Sequence, residues 1–260
     1  MTVTPTGRAR RAELGGAEHF VRGLSGDGAL DLVVEMVHDL RSPLKSILWL
    51  TETLRRGDSG VVNDQQRRQL GLVYGAALSL SGITNDVIEL AAGGGSLLDV
   101  EPTAFSSGEV LESVANMVRP IAEEKRVEVR TVVADDGRRI GRRSALSRIL
   151  LNLTTNALKF TDHGYVEMTA TPAGARALAF SVRDTGRGMP PAALETLYQP
   201  FRPSATRDEP VLCGTGLGLG ICRTLLQAMG STLEVETRPE WGTRFHFELE
   251  LPSAHGLRPA

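Results

Sequence analysis

Residues 30–54, LDLVVEMVHDLRSPLKSILWLTETL, decide the first half of the fold. The apolar or small residues of this segment recur at alternating spacings of three and four, which places their side chains along one seam of a helix, as in a coiled coil. The seam consists of Leu30, Val33, Val37, Leu40, Leu44, Ile47, Thr51 and Leu54. This spacing predicts a long helix over about residues 29–56.

A second helix is predicted after the GDSG segment at residues 57–60, which interrupts the first. Its seam consists of Leu70, Val73, Ala77, Leu80, Thr84, Val87 and Ala91. The two helices would form an antiparallel hairpin over residues 29–92, which cannot enclose a core alone. Two such hairpins make a four-helix bundle, so the sequence predicts a homodimer. A coiled-coil region without catalysis is the alternative at this point.

Beyond the AAGGGS segment at residues 91–96, which is typical of a flexible junction, strand-like and helix-like patterns alternate. They predict strands near residues 98–101, 127–133, 165–171, 177–184, 232–237 and 243–251, and helices near 107–124, 142–160, 190–198 and 216–229. This order predicts an α/β sandwich over residues 97–252, with helices on one face of the sheet. The fold class is therefore α+β, with a flexible leader at residues 1–28 and a frayed tail at residues 253–260.

Composition narrows the class of protein. The 260 residues carry a formal net charge of −2, so there is no basic field to attract nucleic acid or an anionic membrane, and a protein or small-molecule partner is favoured. Cys213 and Cys222 fit neither a disulfide framework nor a zinc site, which indicates a reducing compartment. No apolar stretch approaches the roughly 20 residues that span a bilayer, and no signal peptide is evident at the start. A cytoplasmic location is predicted.

The segment HDLRSPL, residues 38–44, places a histidine and a proline inside the first helix. Pro43 removes the hydrogen bond to the carbonyl of Asp39 and distorts the helix beside His38, at a cost of about 3 kcal/mol. Neutral imidazole is a nucleophile near pH 7, and Asp39 could hold one ring N–H so that the other nitrogen attacks. The alternative is a histidine that is merely solvated on a helix surface.

The segment NLTTNALKF, residues 152–160, places Asn152, Asn156 and Lys159 on one helix face. Carboxamide oxygens are hard ligands that suit Mg²⁺, and a lysine contributes a point charge toward phosphate oxygens. An ordinary polar helix face is the alternative.

Two glycine-containing segments follow. In DTGRGMP, residues 184–190, Gly186 and Gly188 would let a ligand approach the backbone, while Asp184 can accept a hydrogen bond from an exocyclic amine. The alternative there is a tight strand-to-helix turn. In GTGLGLGI, residues 214–221, glycines open a helix whose N-terminal N–H groups would favour a polyphosphate.

A polar, aperiodic segment, QPFRPSATRDEPVLC, lies between them at residues 199–213. It is interpreted as a lid, in which Arg202 and Arg207 would close on a terminal phosphate. Solubilising arginines in an exposed loop are the alternative.

The order of HDLRSPL, NLTTNALKF, DTGRGM, QPF and GTGLGLGI, followed by GTRFHFELEL at residues 242–251, resembles the sensor histidine kinase family over about residues 29–251. The resemblance implies a dimerisation and phosphoacceptor hairpin followed by an ATP-binding domain of the gyrase type. It implies ATP and Mg²⁺ as ligands, a response regulator receiver domain as partner, and a separate or upstream sensor.

The resemblance also implies a role for each motif residue. His38 would be the phosphoacceptor, Asp39 its acidic helper, Asn156 the Mg²⁺ ligand and Asp184 the residue that recognises adenine. Ser42 stands where the family usually has Thr or Asn to position a water for dephosphorylation of the partner. The other implied nucleotide contacts are Asn152, Lys159, Gly186, Gly188, Arg202, Arg207, Gly214, Thr215, Gly216, Leu217, Gly218, Leu219 and Thr243.

The function that these roles imply is autophosphorylation of His38 by Mg-ATP, followed by transfer of the phosphoryl group to an Asp of a response regulator. The alternative is a degenerate kinase that serves as a nucleotide-binding dimerisation scaffold. Asn152 stands where related ATPases carry a Glu that acts as general base for water, so slow ATP hydrolysis is expected.

Overall fold

The computed structural model describes residues 29–91, 101–134, 137–190, 194 and 217–254. The chain begins there with a hairpin of two helices, α1 (Ala29–Arg56) and α2 (Asp64–Ala91). The start of α2 is fixed by a reciprocal cap, because Asn63 Oδ1 accepts from the N–H of Gln66 at 2.8 Å and Gln66 Oε1 accepts from the N–H of Asn63 at 2.9 Å. The predicted hairpin is confirmed, and α1 continues through Pro43.

Only part of the predicted seam of α1 is buried within one chain. Leu44 and Thr51 are buried against α2, whereas Leu40, Ile47 and Leu54 are exposed. The hairpin therefore leaves an apolar surface that its own two helices do not cover.

The second domain alternates short strands and helices. Its elements are β1 (Thr103–Ser106), α3 (Ser107–Lys125), β2 (Glu128–Val133), β3 (Arg138–Gly141), α4 (Arg143–Phe160), β4 (Tyr165–Pro172), β5 (Ala177–Asp184), α5 (Leu217–Ala228), β6 (Glu234–Arg238) and β7 (Gly242–Glu250). Ser106 caps α3 by accepting from the N–H of Glu109, and α3 ends where Arg126 adopts a left-handed conformation with φ of 57°.

A five-stranded sheet in the order β2-β4-β5-β7-β6 organises this domain. The β2–β4 pair is parallel and the other neighbours are antiparallel. Alternate residues of the central strands, including Met168, Phe180 and Phe247, form one core with apolar residues of α3, α4 and α5. Because strand side chains alternate between faces, the three helices cover one face of the sheet, as predicted.

The observed strands differ from the predicted ones in two places. The first strand was expected near residues 98–101, but residue 101 lies outside any strand and β1 begins at Thr103. Strand β3, which pairs with β1 in a separate two-stranded sheet, was not predicted at all. Its sequence, RRIG, begins with two arginines, yet Arg139 is buried and donates to the carbonyl of Leu251 at 3.3 Å. A buried arginine that bonds a distant carbonyl leaves no local signal in the sequence.

Several predictions lie outside the described residues. They are the leader at residues 1–28, most of the junction at 91–96, the strand positions 98–100, most of the helix at 190–198, the lid at 199–213 and the end of the tail at 255–260. In the described part of the chain, no helix is long and apolar enough to cross a membrane.

Candidate functional site

A cavity of about 670 Å³ lies where helix α4, the turn after β5 and the start of α5 meet the hairpin. Its volume falls within the range typical of small-molecule sites. The predicted site residues that line it are Asn152, Asn156, Lys159, Asp184, Gly188, Gly218, Leu219 and Thr243.

Asp184 ends strand β5 and is the buried carboxyl group of the cavity, with only 5% of the residue exposed. Its Oδ1 accepts from the N–H of Gly186 at 2.9 Å and from the N–H of Thr243 at 3.1 Å. Burial raises the pKa of Asp184, and these two backbone hydrogen bonds oppose the increase. Both of these backbone hydrogen bonds fall on Oδ1.

The glycines of the DTGRGM turn are needed first for backbone packing. Gly188 has a positive φ of 64°, and a Cβ there would collide with the carbonyl oxygen of Arg238. A Cβ at Gly186 would collide with the carbonyl of Phe160 at the end of α4. The turn is thereby held against α4 and the β6–β7 connection, which fixes Asp184 at the base of the cavity. Of the two glycines, only Gly188 lines it.

Helix α4 presents Asn152, Asn156 and Lys159 to the cavity, as their spacing predicted. Asn152 is buried, and its Nδ2 donates to the carbonyl of Gly218 at 3.3 Å, so it also holds the first turn of α5. Asn156 is half-buried and Lys159 lies with its Nζ 4.6 Å from the centre of the Phe160 ring. The three side chains together offer two carboxamides and one ammonium to a ligand.

Lys125, at the end of α3, also lines the cavity and was not predicted from the sequence. Its Nζ donates to the carbonyls of Leu158 at 2.6 Å and Lys159 at 3.1 Å, which places a cation at the C-terminus of α4. Burial lowers the pKa of Lys125, and the nearby carboxylate of Asp162 opposes this. A contact between the ends of two helices 34 residues apart gives no local signal in the sequence.

The hairpin supplies another wall that was not predicted. Helix α2 lines the cavity with Gly75, Leu78, Ser79, Gly82, Ile83 and Asp86. The sequence predicted only a dimerisation role for α2, because the predicted seam describes one side of the helix and the cavity lies on another.

The predicted phosphoacceptor group lies on α1, away from the cavity lining. The His38 side chain is 73% exposed, and its Nδ1 is 3.9 Å from Oδ1 of Asp39, which is beyond hydrogen-bond distance. Ser42, one turn further along, is also exposed. The structure thus places His38, Asp39 and Ser42 together but does not bring them into the cavity.

The remaining predicted residues lie outside the described part of the chain. These are Arg202, Arg207, Gly214, Thr215 and Gly216; Leu217 begins α5, but its side chain is not among those described.

The metal-ligating side chains available in the structure bear on whether the expected Mg²⁺ could bind. Among the described residues, no group of three or more His, Cys, Asp or Glu side chains could hold a metal ion. Mg²⁺ usually keeps several waters and binds substrate phosphates, and the carboxamide oxygen of Asn156 is of the hard type that fits such a cation.

Comparison with known protein families identifies both the hairpin and the second domain. Residues 30–95 match the His Kinase A (phospho-acceptor) domain, and residues 141–253 match the histidine kinase-, DNA gyrase B-, and HSP90-like ATPase family; together the matches cover more than half of the chain. The chain belongs to the sensor histidine kinase family.

Curated proteins and a solved structure are similar to this chain over most of its length. The chain is 30% identical over 233 residues to the sensory/regulatory protein RpfC of Xanthomonas campestris, covering 87% of this chain and 32% of RpfC. It is 34% identical to the sensor histidine kinase AruS of Pseudomonas aeruginosa, covering 84% of this chain and 22% of AruS. The structure of full-length ShkA in complex with AMPPNP matches with a TM-score of 0.61 and 28% identity, over 86% of this chain and 46% of ShkA. The chain thus spans a third or less of the length of these two curated relatives.

Proposed function

We propose that this chain phosphorylates its own His38 with ATP and passes the phosphoryl group to an aspartate of a response regulator receiver domain, acting in the cytoplasm. The observation that carries the proposal is the presence in one chain of an exposed histidine on a helical hairpin and a cavity lined by Asp184, Asn156 and Lys159. The family membership and the AMPPNP complex of ShkA support nucleotide binding.

Adenine binds at the Asp184 end of the cavity. Oδ2 of Asp184 accepts a hydrogen bond from the exocyclic amine, while Oδ1 stays bonded to the backbone of Gly186 and Thr243. The phosphates then extend along α4 toward Asn156 and Lys159. A bound Mg²⁺, with Asn156 as its protein ligand, would neutralise charge on the phosphate oxygens.

The His38 imidazole accepts the phosphoryl group through Nε2, because Nδ1 is the nitrogen that faces the Asp39 carboxylate. Nδ1 keeps its proton and the Nε2 lone pair attacks the γ-phosphorus. The bond between that phosphorus and the bridging oxygen breaks, and ADP leaves with the electron pair. The ring acquires positive charge, which the carboxylate of Asp39 stabilises.

A receiver domain approaches on the outer face of α1. Trp49 stands eleven residues after His38, about three helical turns, so both side chains project from the same face about 16 Å apart along the helix axis. Trp49 is 67% exposed, which is unusual for a large aromatic side chain unless a partner covers it. We assign Trp49 to the receiver-binding surface.

The hairpin forms a homodimer through the opposite side of α1. Met36, Leu40, Ile47, Leu50 and Leu54 are all exposed and follow one stripe of the helix. Ile47 lies nine residues, or about two and a half turns, from His38, so the stripe and the phosphoacceptor face opposite directions. A four-helix bundle would cover the stripe and leave His38 accessible.

The proposal is tested by incubating the chain with Mg-ATP labelled on the γ-phosphate. A phosphoramidate is labile in acid and stable in alkali, whereas phosphoserine survives acid, so the label must show the first behaviour. Asn156→Ala removes the proposed metal ligand and is expected to abolish labelling. An acid-stable label, or full labelling of Asn156→Ala, would contradict the proposed reaction.

A further inference from the structure

Helix α2 carries small residues where it meets the ATP-binding domain. A Cβ at Gly71 would lie 3.3 Å from Cβ of Glu124, and one at Gly75 would lie 3.4 Å from Cγ1 of Ile121, so both glycines sit close against α3. This side of α2 is not the one that carries the exposed Val73 and Leu80. The hairpin therefore has separate surfaces for its own ATP-binding domain and for the proposed dimer.

A buried ion pair joins the two domains at the next turns of α2. Arg148 of α4 donates through Nη2 to Oδ1 of Asp86, and the same nitrogen donates to the carbonyl of Gly82 at 2.8 Å. Asp86 is 5% exposed and Arg148 is 9% exposed. Removing one partner of such a pair leaves an uncompensated buried charge, which is strongly destabilising.

Arg148 connects this pair to the nucleotide cavity. It lies four residues before Asn152 and eight before Asn156, so the three side chains share one face of α4. Both partners of the ion pair also line the cavity, together with Gly75 and Gly82 of α2. The cavity is thus enclosed on one side by the hairpin, and the ion pair fixes that side.

We propose that the Asp86–Arg148 pair positions the ATP-binding domain on its own hairpin and thereby couples hairpin docking to nucleotide affinity. The inference rests on the proposed function in that the nucleotide occupies this cavity. Asp86 and Arg148 are positioning residues, which act by holding α2 in place as a wall of the site. When the pair is broken, the domain separates from α2 and the nucleotide loses that wall.

Nucleotide affinity of the full chain tests the coupling. We expect Asp86→Ala to weaken AMPPNP binding, measured by calorimetry, by about fivefold or more, the lower end of typical coupling between sites. Asp86→Asn, which keeps an oxygen acceptor for Arg148, should lie between the wild type and Asp86→Ala. An affinity of Asp86→Ala within twofold of the wild type would overturn the proposal.

A matched control uses a second ion pair between the domains, also within the described residues. Arg55 of α1 contacts Glu123 of α3, but the Glu123 side chain is half exposed and neither residue lines the cavity. Exposed pairs contribute little, so Glu123→Gln should leave AMPPNP affinity unchanged. An equal loss in Glu123→Gln and Asp86→Ala would show a general loosening of the chain and would overturn the specific role of the buried pair.

The distance between the two domains is a second measurement, and a substitution that altered only the local surroundings of Asp86 would leave this distance unchanged. Spin labels at Val61→Cys in the hairpin turn and Ala175→Cys in the β4–β5 turn, both exposed, report domain separation in a Cys213→Ser background. Cys222 is buried and the pKa of its thiol is raised to about 12, so it stays unlabelled. We expect one narrow distance distribution in the wild type and a broad one in Asp86→Ala; an unchanged narrow distribution would contradict positioning. Neither readout requires phosphorylation, so failure of the coupling and failure of the kinase reaction remain distinguishable.

Discussion

At the residue scale, Asp184 has a structural role in the fold and a proposed role in ligand binding. Burial raises the pKa of its carboxyl group, so the ionised form is less favourable in the folded chain than in the unfolded one. The fold tolerates this because the N–H groups of Gly186 and Thr243 bond its Oδ1. In the proposed function, the second oxygen of this carboxyl group binds the ligand.

Asp184→Asn separates these two roles. Its amide oxygen can still accept from Gly186 and Thr243, so we expect the fold to persist while ATP affinity falls. Because its folded-state pKa is raised, Asp184 contributes stability that is fully present below its unfolded pKa and is lost as pH rises through its folded pKa. The neutral amide should therefore raise the Tm of the nucleotide-free chain near pH 7, with the gain shrinking toward acid pH. Calorimetric ATP titration and thermal melts check this; unchanged ATP affinity would refute the assignment of Asp184.

In the proposed reaction, His38 and water compete to attack the γ-phosphoryl group of ATP, and Asn152 is expected to disfavour attack by water. A carboxamide cannot take a proton from water near neutral pH, and the lack of a positioned general base typically costs about 10²- to 10⁴-fold. We expect His38→Gln with saturating Mg-ATP to release phosphate only slowly. Rapid phosphate release by this variant would show that another residue activates water.

Asn152 also illustrates why its role could not be derived from sequence alone. Its position on α4 followed from helical spacing, but its contact with the carbonyl of Gly218 depends on how α4 and α5 meet. A glutamate there would lose the donor and would bury a charge, so Asn152→Glu is not a clean test of hydrolysis.

At the element scale, α1 has two surfaces with different expected partners. Ile47→Asp places a charge within the exposed apolar stripe, and we expect the dimer to dissociate because the charge would be buried in the bundle. Sedimentation at micromolar concentration measures this. Trp49→Asp is the matched control on the outer face and should remain dimeric. A wild-type chain that sediments as a monomer would refute the dimer.

A separate prediction concerns Trp49 on the outer face of α1. Trp49→Ala should slow phosphoryl transfer to the receiver domain that the wild type phosphorylates by about tenfold or more, because buried tryptophans dominate interface energetics. Autophosphorylation should be unchanged, since Trp49 lies outside the nucleotide cavity. Trp241→Ala, which alters an exposed tryptophan beside Arg183 in the second domain, is the control. Equal transfer rates in the wild type and Trp49→Ala would exclude this surface.

Helices and long strands of this protein could be predicted because their signals are local. The seam of α1, the alternation in β4 and β5 and the glycine turn after β5 all lie within short segments. Strand β3 and the cap by Lys125 could not be predicted, because each depends on contacts with residues distant in the sequence. The cavity wall from α2 was missed for the same reason.

At the scale of the whole molecule, the hairpin and the ATP-binding domain share one cavity. From the sequence, the phosphoacceptor was predicted in the hairpin and nucleotide binding in the second domain, with a flexible junction at residues 91–96 between them. Asp86 and Arg148, 62 residues apart, join the two across a buried contact. His38 does not line this cavity, so in the proposed reaction the nucleotide and a His38 imidazole must be brought together by a change of domain position or by the hairpin of a second copy of the chain.

The measurement that tests the central claim most directly compares wild-type chain and His38→Gln after incubation with ATP labelled on the γ-phosphate, with AMPPNP binding measured on both. We predict an acid-labile label on the wild type that is absent from His38→Gln, while the two proteins bind AMPPNP with equal affinity because His38 does not line the cavity. Label that survives in His38→Gln would contradict the assignment of His38 as the phosphoacceptor.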